Sequence, residues 1–315
     1  MTVSFRPNPE PPMQRTLKSA IGCVGVGIHS GARSALTLRP APADTGIVFC
    51  REDLPGTAPI PAGIAQVADT TRCTQLRGGD GATVNTVEHL MAALAAWGID
   101  NVEVGLDGPE IPALDGSARD FCFLLGCAGI VEQDRPRRFV EVLKPVTVQH
   151  GPRWARLVPH AHLAVDMTID FDHPLIGVQR IVLETVDMAS FRKELAAART
   201  FGFAEDVASL RAKGLALGGS LDNAVVVAHD HVLNPDGLRW PDEFVRHKAL
   251  DAIGDLYLDG PLLGRIEAHG SGHMLHAKLL RELFADPTAW RFTGPADAPG
   301  RHTEPLPLVA QQGAD

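Results

Sequence analysis

His247 and Asp251 stand four residues apart in "VRHKALDAIGDL", and Asp255 continues the series. On a helix this spacing stacks the side chains on one face. An imidazole over a carboxylate is either a chelating pair for a metal ion or an ordinary helix pair, and the spacing alone does not choose. Glu88 and His89 open the apolar run "VEHLMAALAAW". Taken with His247 and Asp251, His89 completes a set of two imidazoles and one carboxylate. That set suits a catalytic zinc with a fourth position open for water, although other divalent metals fit it too. Glu88, a carboxylate beside a ligand, is placed to take a proton from water. The same residue also reads as N3 of a capping box begun by Asn85, where it would serve only its helix. His273 follows small residues in "GSGHML", which leave room for a ligand. As an imidazolium it could stabilise an oxyanion and protonate a departing amine, with Asp255 holding its other ring nitrogen. A surface histidine is the plainer reading.

Other motifs are less informative. His160, His162, His229 and His231 form His-x-His patterns without a suitably spaced acidic partner, which points to surface or turn roles. "GCVGVGIHSG" precedes strands and lacks the helix and acidic residue of a dinucleotide fingerprint. No GxSxG nucleophile elbow occurs.

The elements that must position these residues come in two blocks that join near "VEQDRPRRFVEV". In the first, "ALTLRP" and "GIVFC" read as strands. A helix follows from about Thr86 to Trp97, ended by Gly98. "NVEVGLD" then alternates like a strand, and "SARDFCFLLGCAG" reads as a helix with Ser117 as N-cap and Gly126 near its end. The second block runs in the same order: "RFVEVLKPVTVQ", "WARLVP" and "HLAVDMTIDF" as strands, "DEFVRHKALDAIGDLYLDG" as helix, "GRIEAHGS" as strand and "HMLHAKLLRELF" as closing helix. Laying "VEHLMAAL" over "VRHKALDA" matches Val87 with Val245 and His89 with His247. The match is short and chance is its alternative. A true duplication predicts an α+β fold of two similar two-layer sandwiches, with the two histidines meeting at their interface, where sites are favoured. The second block alone carries an apolar insert, strand–helix (about Glu205–Lys213)–Gly-rich turn–strand. Its "LGG" suggests close backbone approach.

The bulk properties bound the remainder. The 315 residues are 45% hydrophobic and 21% charged, so the chain can bury a large core unaided. A formal net charge of -9 argues against a nucleic-acid partner. Cys23, Cys50, Cys73, Cys122 and Cys127 are scattered and odd in number, which disfavours a disulfide framework or thiolate zinc cluster and favours a reducing cytoplasm. No signal peptide and no membrane span are read. Residues 1–12, with four prolines, and 293–315 are expected to be disordered tails, and Met13 competes with Met1 as the start. The expected domains are 13–133 and 138–292, in a monomer.

"TVEHLMAAL", "GIDNVEV", "PEIPALDGSA", "RTFGF", "LGGS", "DEFVRHKALDAIGDL" and "SGH" together resemble the zinc-dependent UDP-3-O-acyl-N-acetylglucosamine deacetylases of lipid A biosynthesis, from about Gln14 to Trp290. The resemblance implies two similar α+β sandwiches, each with an insert. It implies that His89, His247 and Asp251 bind one Zn²⁺, that Glu88 is the base, and that His273 is the electrostatic stabiliser or general acid. It further implies that Thr200 donates its hydroxyl to the oxyanion and that Lys248 contacts the substrate. The insert, about 200–226, is implied to form an apolar passage for the 3-O-acyl chain, with Phe201, Phe203, Val207, Ala216, Gly219, Ser220, Leu221, Ala224 and Val226 along it or at its entrance. Cys73 falls on the first-domain side of the site. The sequence departs from the family pattern at Met91, at Asn223 and in "AHGSGH". At about 0.8 kcal/mol per buried methylene, such a passage would supply several kcal/mol of binding. Lys144, Arg246 and Lys248 are candidate cations for the diphosphate.

Two other classes compete with a zinc amide hydrolase that releases acetate. One is a nucleic-acid or protein-binding module of related sandwich fold. The other is a metal-independent acid–base enzyme using Glu88 and His273.

Overall fold

The computed structural model describes residues 12–293. Apart from their innermost residues, the expected tails lie outside the described residues, and so does Met1. Among the described residues are six α-helices: α1 Glu88–Trp97, α2 Arg119–Ala128, α3 Met188–Glu194, α4 Val207–Ala212, α5 Glu243–Leu256 and α6 His273–Ala285. With several sheets they make an α+β chain.

The two largest sheets share a pairing plan. In the first, the hairpin Ile21–Val26/Arg33–Pro40 packs antiparallel on Val102–Leu106. The other edge of that strand pairs in parallel with Ile47–Arg51, which pairs antiparallel with Ile60–Pro61. In the second, the hairpin Val146–His150/Arg153–Val158 packs antiparallel on Leu262–His269. That strand pairs in parallel with Leu163–Phe171, which pairs antiparallel with Gly177–Leu183. In both, the strand that joins the hairpin to the parallel pair, Val102–Leu106 or Leu262–His269, follows one helix and precedes another: α1 and α2, then α5 and α6. The second sheet adds Val140–Val142 and Trp290–Phe292.

α1 and α5 lie against each other, and α5 also packs on Leu163–Phe171 and Gly177–Leu183 of the second sheet. Each is buried on nearly every side, which is why their apolar residues do not keep to a narrow stripe. Gly254 makes the contact close. A Cβ on it would stand 2.0 Å from the carbonyl oxygen of Glu88 and 3.0 Å from the amide nitrogen of Ala92, so only glycine fits between the backbones. The first turn of α1 is thereby pressed against the last turn of α5.

Several boundaries differ from the sequence reading. α1 starts at Glu88 with Val87 before it and no side-chain cap. Asn85 is held in extended backbone, bridged to Glu110, and its side-chain oxygen accepts from Gln75 Nε2. The capping box is therefore absent, because its proposed first residue is committed to a strand-like pairing. α2 runs past Gly126 to Ala128 and closes at Gly129; its N-cap is Ala118, not Ser117, with no side-chain cap, and Ser117 Oγ accepts from the Arg119 amide in the turn before the helix. The expected junction contains a strand, Ile130–Pro136, paired with Met13–Leu17. Ile130–Pro136 is largely solvent-facing, so it lacks the apolar alternation that would reveal it, whereas Met13–Leu17 buries Gln14, Thr16 and Leu17. α3, opened by an Asp187–Ser190 capping box, was also not expected.

Candidate active site

α1 and α5 bring His89, His247 and Asp251 together. The Nε2 atoms of His89 and His247 lie 3.5 and 3.3 Å from Asp251 Oδ1. All three side chains are buried. The Nδ1–H of His247 donates to the carbonyl of Ala198 at 3.0 Å, which leaves Nε2 as the bare lone pair facing Asp251. Lys248 Nζ donates to Asp251 Oδ2 at 2.8 Å, whereas Oδ1 is buried with no hydrogen-bond donor. A buried carboxylate oxygen without a donor is costly unless something positive meets it. A tetrahedral zinc with bonds of about 2.0–2.1 Å would set its ligand atoms roughly 3.3 Å apart. The spacing and the donor set therefore fit a metal ion bound by these three residues.

Two of the three groups have the electrostatics of a ligand; the third, His89, is raised against burial by its hydrogen bond to Asp251 and by the Glu88 charge. Burial pushes the His247 imidazole down to about 4, so it is a neutral donor. Burial alone would raise Asp251, but His247 and Lys248 outweigh it and hold the carboxyl well below its usual range. Burial raises Glu88, more than offsetting His273 and His89.

Glu88 and His273 flank the set. Glu88 Oε2 accepts the amide of Thr74 at 3.1 Å, and Oε1 lies 3.9 Å from His273 Nε2. His273 starts α6 after Gly272, and its Nδ1 donates to Asp255 Oδ2 at 2.8 Å. Its Nε2 thus faces the cleft, 4.0 Å from Asp251 Oδ2. Burial would lower His273; Asp255 and Glu88 overcome it and lift the imidazole to about 9. Asp255 is held low despite burial, by His273 and His276.

Other expected residues fall around this centre. Thr200 donates its backbone N–H to Gly116 and accepts from the Val225 amide, two residues beyond the Ala198 carbonyl that holds His247. Arg199 between them is fixed by a buried, two-pronged pairing to Glu243, at the start of α5. Phe201 packs on Phe244 at 5.0 Å and on His247 at 6.3 Å. Phe203 continues outward to Phe171 and His173. Strands Phe201–Phe203 and Val225–Val227 pair in parallel and are joined through α4, which begins at Val207. Ala216, Gly219, Ala224 and Val226 are half-buried along this unit, and Ser220 and Leu221 are exposed. Gly218 explains "LGG": a Cβ there would stand 2.3 Å from the Gly27 carbonyl, where the turn crosses the loop between the first two strands. Asn223 ties that turn, donating to Gly218 O and accepting from the Ser220 amide. Cys73 is half-buried, and burial with the nearby Glu88 pushes its thiol up, so it remains protonated.

The diphosphate candidates are already engaged: Lys144 with Asp286, Arg246 with Asp242 and Glu194, Lys248 with Asp251. His162, His229 and His231 lie exposed and His160 is half-buried; His231 pairs with Asp230. Three contributors were missed. Glu110 accepts from the amides of His29 and Ser30 and from Thr86, pinning the loop at the first hairpin. Thr74 serves both Glu88 and Asp255, through its amide and its hydroxyl. His276 donates to Asp255; its spacing of three from His273 on one helix was the signal available.

The model of the UDP-3-O-acyl N-acetylglycosamine deacetylase family matches residues 14–285. The chain belongs to this family. Among its relatives, a UDP-3-O-acyl-N-acetylglucosamine deacetylase of Acidithiobacillus ferrooxidans is 52% identical over 290 residues, covering 90% of this chain and 94% of the relative. Those named alike from Shewanella oneidensis and Myxococcus xanthus are 48% identical over 301 residues and 52% over 278. They cover 94% and 88% of this chain, and 98% and 88% of the relatives. The residues gathered around Asp251 all lie within the stretch that the family model matches.

Proposed function

We propose that this chain hydrolyses the acetamide of UDP-3-O-(3-hydroxyacyl)-N-acetylglucosamine, giving the free amine and acetate, the committed step of lipid A biosynthesis. Family membership supports the substrate. The observation that carries the chemistry is Asp251 Oδ1, buried without a donor between two imidazole nitrogens and flanked by Glu88 and His273. A binding module has no use for that arrangement, and a metal-independent enzyme would leave the oxygen unmet.

His89, His247 and Asp251 hold one Zn²⁺. When bound, the ion supplies Lewis acidity that lowers the pKa of water and polarises the acetyl carbonyl. Glu88 takes the proton of the attacking water. Its raised affinity for protons suits a base that must later pass the proton on. His273, charged at neutral pH, faces the oxyanion of the tetrahedral intermediate and helps the amine leave protonated. Asp255 orients His273 through its other nitrogen. Thr200 gives its hydroxyl to the oxyanion, and Lys248 contacts the substrate beside Asp251.

The acyl chain runs along the insert at about 200–226, with Phe201 and Phe203 leading outward and Val207, Ala216, Gly219, Ser220, Leu221, Ala224 and Val226 along the passage or its mouth. Cys73 lines the first-domain side. The shared sheet plan supports two similar two-layer sandwiches, 13–133 and 138–292, and we take the chain to work as a monomer. No helix among the described residues is long and apolar enough to cross a membrane. We place the reaction in the cytoplasm, consistent with five free cysteines.

The test is acetate release from this substrate by wild type and Glu88→Ala. Wild-type turnover that is lost in the variant supports the reading. No release by metal-loaded wild type rejects the substrate, and undiminished release by the variant rejects the base.

A further inference from the structure

Asp255 carries more donors than the orientation of one histidine requires. Its Oδ2 accepts from His273 Nδ1 at 2.8 Å and from His276 Nδ1 at 2.7 Å, and its Oδ1 accepts from Thr74 Oγ1 at 2.6 Å. His276 has no exposed surface, and its far nitrogen, Nε2, meets Ser271 Oγ at 2.9 Å. The chain Ser271–His276–Asp255–His273 therefore runs from the buried interior to the cleft.

The hydrogen-bond inventory fixes the direction of the bonds. The carboxylate can only accept, so both Nδ1 atoms donate. Burial lowers His276, which favours its neutral form. Neutral His276 with its proton on Nδ1 has a bare Nε2, and the Ser271 hydroxyl is the donor that fills it. Ser271 is thus the hydrogen-bond partner of His276 Nε2, while its hydroxyl also reaches Met167 Sδ at 3.6 Å.

We propose that His276 is a positioning residue: by occupying one side of Asp255 Oδ2 it fixes the rotation of that carboxylate, and so the angle at which His273 presents Nε2 to the reacting group. The proposal rests on the role given to His273 above. With His276 absent, Thr74 alone opposes rotation of the carboxylate, from the Oδ1 side, and His273 follows the shift of Oδ2. A displacement of about 1 Å in a reacting group can cost on the order of 100-fold in rate. Because neither His276 nor Ser271 touches the proposed metal ligands or the acyl passage, the loss falls on kcat.

Three variants of the metal-loaded full chain test this by steady-state acetate release, with metal content and thermal unfolding measured alongside. His276→Leu keeps bulk but removes the donor; kcat is expected to fall by about 10-fold or more, with KM within about twofold. His276→Asn puts an amide N–H near the position of Nδ1–H and is expected to recover most of that loss. Ser271→Ala removes the partner of Nε2 and is expected to lower kcat by about threefold or more at unchanged KM. Folded His276→Leu with wild-type kcat, an Asn variant no better than the Leu variant, or a loss confined to KM would each overturn the proposal. If His276→Leu does not fold, the Asn and Ala variants decide: wild-type kcat in Ser271→Ala overturns it. An inactive wild type would instead reject the proposed reaction, and a wild-type rate in His273→Ala would reject the role of His273; both outcomes are separate from the pattern among the three variants.

Discussion

His89 and His247 meet edge to face, their ring centroids 4.9 Å apart, with Asp251 Oδ1 facing the Nε2 atoms of both. Each ring comes from a helix in a different half of the chain. The contact depends on Gly254 letting the first turn of α1 approach α5.

Metal removal is the first test. Chelation is expected to abolish acetate release, and added zinc to restore it. His247→Ala is expected to lose stoichiometric metal and at least roughly 100-fold in kcat/KM, because a ligand and the neutral donor it presents go together. Metal analysis of purified wild type and variant checks this. Full activity in a metal-free preparation would reject the assignment, as would complete insensitivity to hydroxamate chelators.

Glu88→Gln keeps the side-chain shape but cannot take a proton at neutral pH. Metal content should stay near wild type while kcat falls by about 10²- to 10⁴-fold, the usual range for a lost general base. Single-turnover kinetics with the metal-loaded variant separate this from a binding defect.

The pH dependence of kcat/KM should be bell-shaped. Glu88 works ionised and its pKa is raised by burial, so activity is lost as pH falls through a value above the ordinary carboxylate range. His273 works protonated and is lifted to about 9, so activity is lost as pH rises past that point. His273→Ala is expected to remove the alkaline limb and leave the acidic one. A variant that keeps both limbs would show that another group titrates.

Gly254→Ala should separate the helices. The added methyl meets backbone, not a flexible side chain, so relief requires α1 or α5 to move. Overpacking of this kind costs about 1–3 kcal/mol. Thermal unfolding and zinc content should fall together; a variant with unchanged melting and metal affinity would mean that the helices accommodate the methyl without disturbing the site.

Much of this architecture was legible in the sequence because its signals were local. The spacing of His247, Asp251 and Asp255 specifies one helix face, Gly98 marks the end of α1, and the short match of "VEHLMAAL" to "VRHKALDA" pointed to the shared sheet plan. The roles of Thr200, Lys248 and the insert came only through the family resemblance. What stayed hidden was long-range. Thr74 lies in an irregular segment with no periodicity, and its two hydrogen bonds exist only after the halves close. Asn85 looked like a cap because its pairing with the "PEIP" segment is not encoded nearby. His276 shared a helix face with His273, but its value depends on Asp255 arriving from α5.

Gly254 also bears on how the chain becomes competent. The first half carries Glu88 and His89, the second His247, Asp251 and His273, and neither half holds a complete set of ligands. On the proposed ligand set, complete coordination requires α1 and α5 to close against each other at Gly254. On that reading, a chain whose halves have not docked lacks the full set of ligands, and the proposed centre forms only at the closed interface.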